Sequence, residues 1–172
     1  GDLAYLPDGR AVIASGTSID IWDMSVGEKL ESHQVAPRGL TGIDISADGS
    51  TMLAVDSAGN VYEWDFEAAA VTREWNSGQR SLVSVYYSTD ESRALTCGGS
   101  PPTIKEWDLE TGEELVSISS DLHTARQAIY GPGDLTAIIH GDAGSDPVVE
   151  QYDLSDGSLV RKFLNDYYTH KR

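Results

Sequence analysis

The chain has no stretch in which apolar positions recur convincingly at helical spacing. Short runs that alternate, or are apolar throughout, such as Thr51-Met52-Leu53-Ala54-Val55 and Ala94-Leu95-Thr96, are instead separated by polar clusters. Period-two alternation marks a strand buried on one face, and a short apolar run bounded by turn residues marks a strand buried on both. The clusters at Pro7-Asp8-Gly9, Ala47-Asp48-Gly49, Thr89-Asp90-Glu91 and Pro132-Gly133-Asp134 suit tight hairpins. Asp there bonds its own backbone, and Gly permits positive φ.

The pattern repeats. Ile19-Asp20-Ile21-Trp22-Asp23, Val61-Tyr62-Glu63-Trp64-Asp65, Ile104-Lys105-Glu106-Trp107-Asp108 and Val149-Glu150-Gln151-Tyr152-Asp153 align column by column, with their aromatic residues 42, 43 and 45 positions apart. A turn and an outer strand follow at Ser25 to Leu30, Glu110 to Leu115 and Ser155 to Val160; the second copy, Glu67 to Val71, lacks the glycine. Each period predicts four antiparallel strands of about five residues. Four strands repeated at this interval predict a β-propeller, in which every small twisted sheet buries its faces on its neighbours.

These residues resemble the WD-repeat propeller family, from about Leu3 to about Tyr168. The pairs Trp22-Asp23, Trp64-Asp65 and Trp107-Asp108 carry the resemblance, and Tyr152-Asp153 is the fourth copy with Tyr in place of Trp. The resemblance implies an all-β propeller with blades at approximately 1–36, 37–78, 79–122 and 123–168. In that family a loop His, a strand Ser or Thr, a turn Asp and the Trp form a hydrogen-bonded group. Here Ala54 and Ala58 stand at the hydroxyl and Asp positions of the second repeat, and His33 and His123 are mis-spaced. Packing of the aromatic column is therefore expected to hold the blades together in place of that network.

Propellers have about 4–8 blades, and the WD-repeat family usually seven. Four periods, the first clipped at Gly1, predict an incomplete ring belonging to a larger seven- or eight-bladed propeller. The remaining blades would come from the same polypeptide, a partner chain or a second copy; a self-closed four-bladed ring is the alternative.

Charge narrows the partners. With 28 Asp and Glu against 12 Lys and Arg in 172 residues, the formal net charge is -16. This weighs against nucleic acid and anionic membranes, which require a concentrated basic patch. No apolar run approaches the roughly 20 residues of a membrane span. One cysteine, Cys97, excludes an internal disulfide, and Gly1 to Tyr5 does not open a signal peptide, so a cytoplasmic address is the default expectation.

Candidate chemistry is sparse. His33, His123, His140 and His170 fall at no metal-binding spacing, and the run His140 to Asp146 misses the calcium-loop pattern and reads as an acidic hairpin. Cys97 reads as a small buried apolar residue. No nucleophile elbow, phosphate-cradling loop or dinucleotide fingerprint occurs. Neither catalysis nor a cofactor or metal is expected. The resemblance implies a non-catalytic protein-protein interaction scaffold. The alternatives are a regulatory or sensor propeller of a larger enzyme and a cofactor-bearing, quinoprotein-like propeller, although in those repeats the Trp follows the Thr-Gly pair, whereas Trp107 precedes Thr111-Gly112.

One basic pattern stands out against the acidic background. Arg38, Arg80 and His123 occupy equivalent positions before the innermost strands, eight residues ahead of Ser46, Ser88 and Gly131, with Arg126 close by. Arg holds a carboxylate or phosphate in a planar fork, so this rim is expected to dock an acidic or phosphorylated peptide. The plainer alternative is that these residues only neutralise nearby carboxylates. The tail, Phe163 to Arg172, offers Tyr167 and Tyr168 either for packing under the last blade or for a neighbouring domain or partner.

Overall fold

A computed structural model of the chain describes residues 1–144 and 146–164, the side chain of Leu164 excepted. Its sixteen strands form four antiparallel sheets, each built from four consecutive strands. The first sheet holds β1 (Leu3–Tyr5), β2 (Arg10–Ser15), β3 (Ser18–Asp23) and β4 (Glu28–Gln34). The second holds β5 (Leu40–Ile45), β6 (Thr51–Asp56), β7 (Asn60–Asp65) and β8 (Ala70–Asn76). The third holds β9 (Leu82–Tyr87), β10 (Arg93–Gly98), β11 (Thr103–Asp108) and β12 (Glu114–Ser119). The fourth holds β13 (Thr124–Tyr130), β14 (Thr136–Ala143), β15 (Asp146–Asp153) and β16 (Leu159–Leu164). Most strands are six residues or longer, so the expected five was short, and a 3-10 turn at Pro132–Asp134 occupies the fourth hairpin.

The hairpins keep the repeat in register. At the first turn of each blade, Gly9, Gly49, Glu91 and Asp134 donate their N–H to the carbonyls of Leu6, Ser46, Ser88 and Gly131. All four adopt positive φ, glycine in the first two blades and a strained carboxylate residue in the other two.

Blade faces bury the core. Met52, Tyr62 and Trp64 pack against Val12, Ile19 and Ile21 of the first blade; Trp107 packs against Leu53, Val55 and Val61 of the second; Tyr152 packs against Leu95, Ile104 and Ile118 of the third. Trp64, Trp107 and Tyr152 thus face the preceding blade, while Trp22 of the first blade is half-buried. The innermost strands β1, β5, β9 and β13 pack in succession. Between β5 and β9 the approach is so close that a side chain at Gly42 would sit 3.1 Å from Ser84 Cα. Among the described residues, no strand of the fourth sheet packs against the first sheet as consecutive blades do. No helix there is long and apolar enough to cross a membrane.

The polar networks beneath the aromatics differ from blade to blade. Ala54 stands in the second blade where Thr96 stands in the third, and the Trp64 indole N–H has no partner among the described residues, as expected from the missing hydroxyl. In the third blade the expectation of packing alone fails: Trp107 Nε1 donates to Thr96 Oγ1 at 2.9 Å, and Thr96 donates to Gln79 Oε1 at 2.7 Å. The second and fourth blades use a carboxylate. Tyr62 donates to Asp56 at 2.9 Å, and Tyr152 donates to Glu150 at 2.7 Å. Burial opposes ionisation of Asp56, but hydrogen bonds from Asn60, Tyr62 and Ala58 outweigh it and hold the carboxyl below its ordinary range.

Candidate functional site

Register in the innermost strands decides which side chains meet the axis. In β5, β9 and β13 one residue is left out of the pairing with the next strand: Thr41 between Leu40 and Gly42, Val83 between Leu82 and Ser84, and Arg126 between Ala125 and Gln127. Each lies five residues before the aligned turn residue Ser46, Ser88 or Gly131, and the same step back from Leu6 reaches Gly1. An extra residue of this kind bends the strand and re-aims its side chain. Gly1, Thr41, Val83 and Arg126 accordingly line one cavity of about 420 Å³, together with Asp2, Ser84, Tyr86, Gln127 and His140. All four blades contribute to it.

The cavity carries mixed chemistry. Asp2 accepts the N–H of Ile43 at 3.1 Å, which ties the first blade to the second. Gln127 donates to the Tyr86 hydroxyl, and burial raises the Tyr86 phenol above its ordinary value. Arg126 binds Asp142 through Nε at 3.2 Å and Nη2 at 3.0 Å, while Thr124 donates to the same carboxylate at 3.0 Å. The Thr124 hydrogen bond and then Arg126 hold the Asp142 carboxyl below its ordinary range.

Three of the four basic residues expected at the rim lie in the loops or strand starts at one end of the blades, and their circumstances differ. Arg38 and Arg80 are exposed, in the segments leading into β5 and β9, and neither forms an ion pair with a carboxylate among the described residues. His123 is exposed but tethered: its Nδ1 accepts the N–H of Gly144 at 2.8 Å, and its own N–H donates to the Asp142 carbonyl at 2.8 Å. Arg126 belongs to the axial cavity rather than to the loops. Asp23, Asp108 and Asp153 accept backbone N–H groups of their own turns, at 2.8, 2.7 and 2.8 Å, as does Asp65 from Ala68 at 2.7 Å, so the signature Asp column is a turn device.

Sequence reasoning singled out Arg126 but missed Gly1, Thr41 and Val83 as the other members of its axial column. Its fixed distance from the turn was visible, but the inserted residue that turns it inward was not. No group of three or more His, Cys, Asp or Glu among the described residues could hold a metal ion. Cys97 is fully buried, and burial pushes its thiol up to about 12. Phe163 is exposed; Tyr167, Tyr168 and His170 lie outside the described residues.

No protein-family model matches the chain. Over 118 residues it is 31% identical to Protein groucho of Drosophila melanogaster, covering 66% of this chain and 16% of that protein. Over 115 residues it is 30% identical to Transducin-like enhancer protein 2 of Mus musculus, covering 64% of this chain and 15% of that protein. The chain therefore spans about one sixth of these relatives. Among solved structures it is similar to Kuenenia stuttgartiensis Hydrazine Synthase, with a TM-score of 0.82 and 19% identity, covering 95% of this chain and 48% of that one. At that identity the likeness is one of fold.

Proposed function

The chain is a WD-repeat β-propeller, and we propose that it acts as a non-catalytic protein-interaction scaffold whose rim docks an acidic or phosphorylated peptide. The observation that carries this reading is the state of Arg38 and Arg80. In a chain of net charge -16, two guanidinium groups recur at one position of successive blades, exposed and unpaired with any described carboxylate. An arginine free of local partners keeps its planar fork for an incoming anion. Arg126, which lines the axial cavity and is held by Asp142, supplies a third cation.

The rigidity of the sheets suits this role, because stacked blades hold the loops at fixed separations for several contacts at once. Similarity to groucho and the transducin-like enhancer supports a binding role over an enzymatic one. The regulatory and quinoprotein-like alternatives draw no support from the fold likeness to hydrazine synthase.

The test is a titration of immobilised phosphoserine peptides and their unphosphorylated, Glu-rich counterparts against the chain. A hydrogen bond to a charged group contributes about 1.5–3 kcal/mol, so replacing both Arg38 and Arg80 with Glu is expected to weaken binding by more than about tenfold. Unchanged affinity in the double variant removes the proposal.

A further inference from the structure

One cleft recurs in successive seams between blades, at the strand ends opposite Arg38 and Arg80. Between the third and fourth blades it measures about 280 Å³ and is lined by Arg93 and Glu106 of one blade and by Asp134, Asp153 and Leu154 of the next. Between the second and third blades it measures about 390 Å³ and is lined by Thr51 and Glu63 of one and by Tyr87, Glu91, Asp108 and Leu109 of the next. Register equates the two sets. Thr51 and Arg93 stand opposite Asp65 and Asp108, and Glu63 and Glu106 stand opposite Leu53 and Leu95. Tyr87 and Tyr130 stand opposite Ala94 and Ala137, and Glu91 and Asp134 hold the same turn position.

The seam between the third and fourth blades is filled from within. Arg93 Nη1 donates to Glu106 Oε1 at 2.8 Å, and the guanidinium carbon lies 6.0 Å from the centre of the Tyr130 ring. The Tyr130 hydroxyl donates to the same carboxylate oxygen at 3.2 Å. With these partners in place the Glu106 side chain is only 4% exposed. A carboxylate is tolerated at such depth when it is paired and hydrogen-bonded, and a planar guanidinium beside an aromatic ring supplies both the charge and the packing.

The seam between the second and third blades has the same anionic wall without the cation. Thr51 stands where Arg93 stands in the next blade, and its hydroxyl pairs with that of Tyr87 at 3.1 Å. Glu63 has no ion-pair partner among the described residues. Arg73 is opposite Glu63 in the register of β7 and β8, yet its guanidinium donates to the Leu109 carbonyl and lies 5.2 Å from the centre of the Trp75 ring. Glu91 accepts the N–H of Ala47, and Asp108 accepts that of Thr111 at 2.7 Å, which fixes both carboxylates at the cleft. No three acidic groups among the described residues are gathered closely enough to hold a metal ion, so the cleft suits an extended organic cation. Leu109 gives an aliphatic stem an apolar wall, and the exposed Ser92 and Glu110 mark the mouth.

We propose that this cleft receives an arginine side chain of a partner peptide, whose guanidinium takes at Glu63 the place that Arg93 takes at Glu106. The stem lies along Leu109, and the peptide backbone stays outside, past Ser92 and Glu110. The net charge of -16 draws a basic segment toward the chain. This site is at the other end of the blades from Arg38 and Arg80 and is independent of what the rim binds.

Titration of acetyl-Gly-Arg-Gly-amide into the isotope-labelled chain, followed by amide chemical shifts, tests this. Saturable shifts are expected at Glu63, Tyr87 and Leu109. The lysine counterpart lacks the planar fork and the citrulline counterpart lacks the charge, so each is expected to bind at least about tenfold more weakly. Glu63→Gln is expected to weaken the arginine peptide by a similar factor and to keep the circular dichroism of the folded chain. Thr51→Arg is expected to fill the cleft from within, as Arg93 does, and to abolish the shifts; if that chain does not fold, Glu63→Gln decides alone. Equal affinity for the lysine or citrulline peptide, undiminished binding to the Glu63→Gln chain, or shifts spread over the acidic surface without saturation would each overturn the proposal.

Discussion

Trp107 and Thr96 are joined by an indole-to-hydroxyl hydrogen bond of 2.9 Å, whereas one blade earlier Ala54 stands in the Thr96 column and the Trp64 indole N–H has no partner among the described residues. One hydroxyl thus separates a satisfied seam from an unsatisfied one. Replacing Ala54 with Ser is expected to raise stability by about 0.5–1.5 kcal/mol, the net contribution of one hydrogen bond. Thr96→Val, of nearly equal volume, orphans both Trp107 Nε1 and Gln79 Oε1 and is expected to cost about 1–3 kcal/mol. Urea unfolding of the two variants checks both signs; a destabilised Ala54→Ser chain would contradict the first.

Acid lability follows from the turn carboxylates. Hydrogen bonds from Ser88 and Ser92 lower the Asp90 carboxyl from 3.8 to about 2, and those from Ser50 and Ser46 lower Asp48 in the same way. A carboxyl depressed in the folded state adds stability above its unfolded value and loses it as pH falls toward its folded value. Asp44 and Glu106, raised chiefly by burial, act in the opposite sense and favour the fold once protonated. The depressed group is the larger, so melting temperature is expected to fall as pH drops from about 4 to about 2. Asp90→Asn is expected to flatten part of that fall, and a melting curve constant from pH 6 to pH 2 would refute the account.

Cys97 reports on the seam between the third and fourth blades. Fully buried, with its thiol raised from 9.0 to about 12, it is expected to react with iodoacetamide roughly a thousand-fold more slowly than an exposed cysteine, through lost thiolate alone. Urea should restore the ordinary rate. Rapid labelling of the folded chain would show that this seam opens freely.

Asp142 competes for Arg126 with any anion at the axis. Arg126 is 64% exposed and Asp142 24%, and an ion pair this open to solvent is expected to contribute little to stability. Asp142→Asn should therefore leave the melting temperature nearly unchanged while raising affinity for a phosphoserine peptide several-fold. Adding Arg126→Gln should remove the gain; a gain that survives would place the anion elsewhere on the rim.

The architecture was legible because each blade is a local unit. Strands adjacent in sequence pair with each other, and the aromatic columns recur at nearly constant spacing, so periodicity alone located Trp22, Trp64, Trp107 and Tyr152. Ala54 likewise announced the missing hydroxyl under Trp64. Asp56 and Glu150 were not anticipated, because Tyr62 and Tyr152 reach them through side-chain geometry that no repeat column encodes. Gln79 was missed for a related reason: it lies in a loop, and only folding brings it to Thr96, seventeen positions later.

Repeat period, strand alternation and turn residues therefore determined a stack of four-stranded blades, since those signals act over a few neighbouring positions. The tertiary structure decided what the blades present. A single unpaired residue in each of β5, β9 and β13 turns Thr41, Val83 and Arg126 onto one axis, and Asp142 engages Arg126 while Arg38 and Arg80 stay unpaired among the described carboxylates. Those outcomes depend on register and on distances between strands far apart in the chain, which packing sets and local pattern does not.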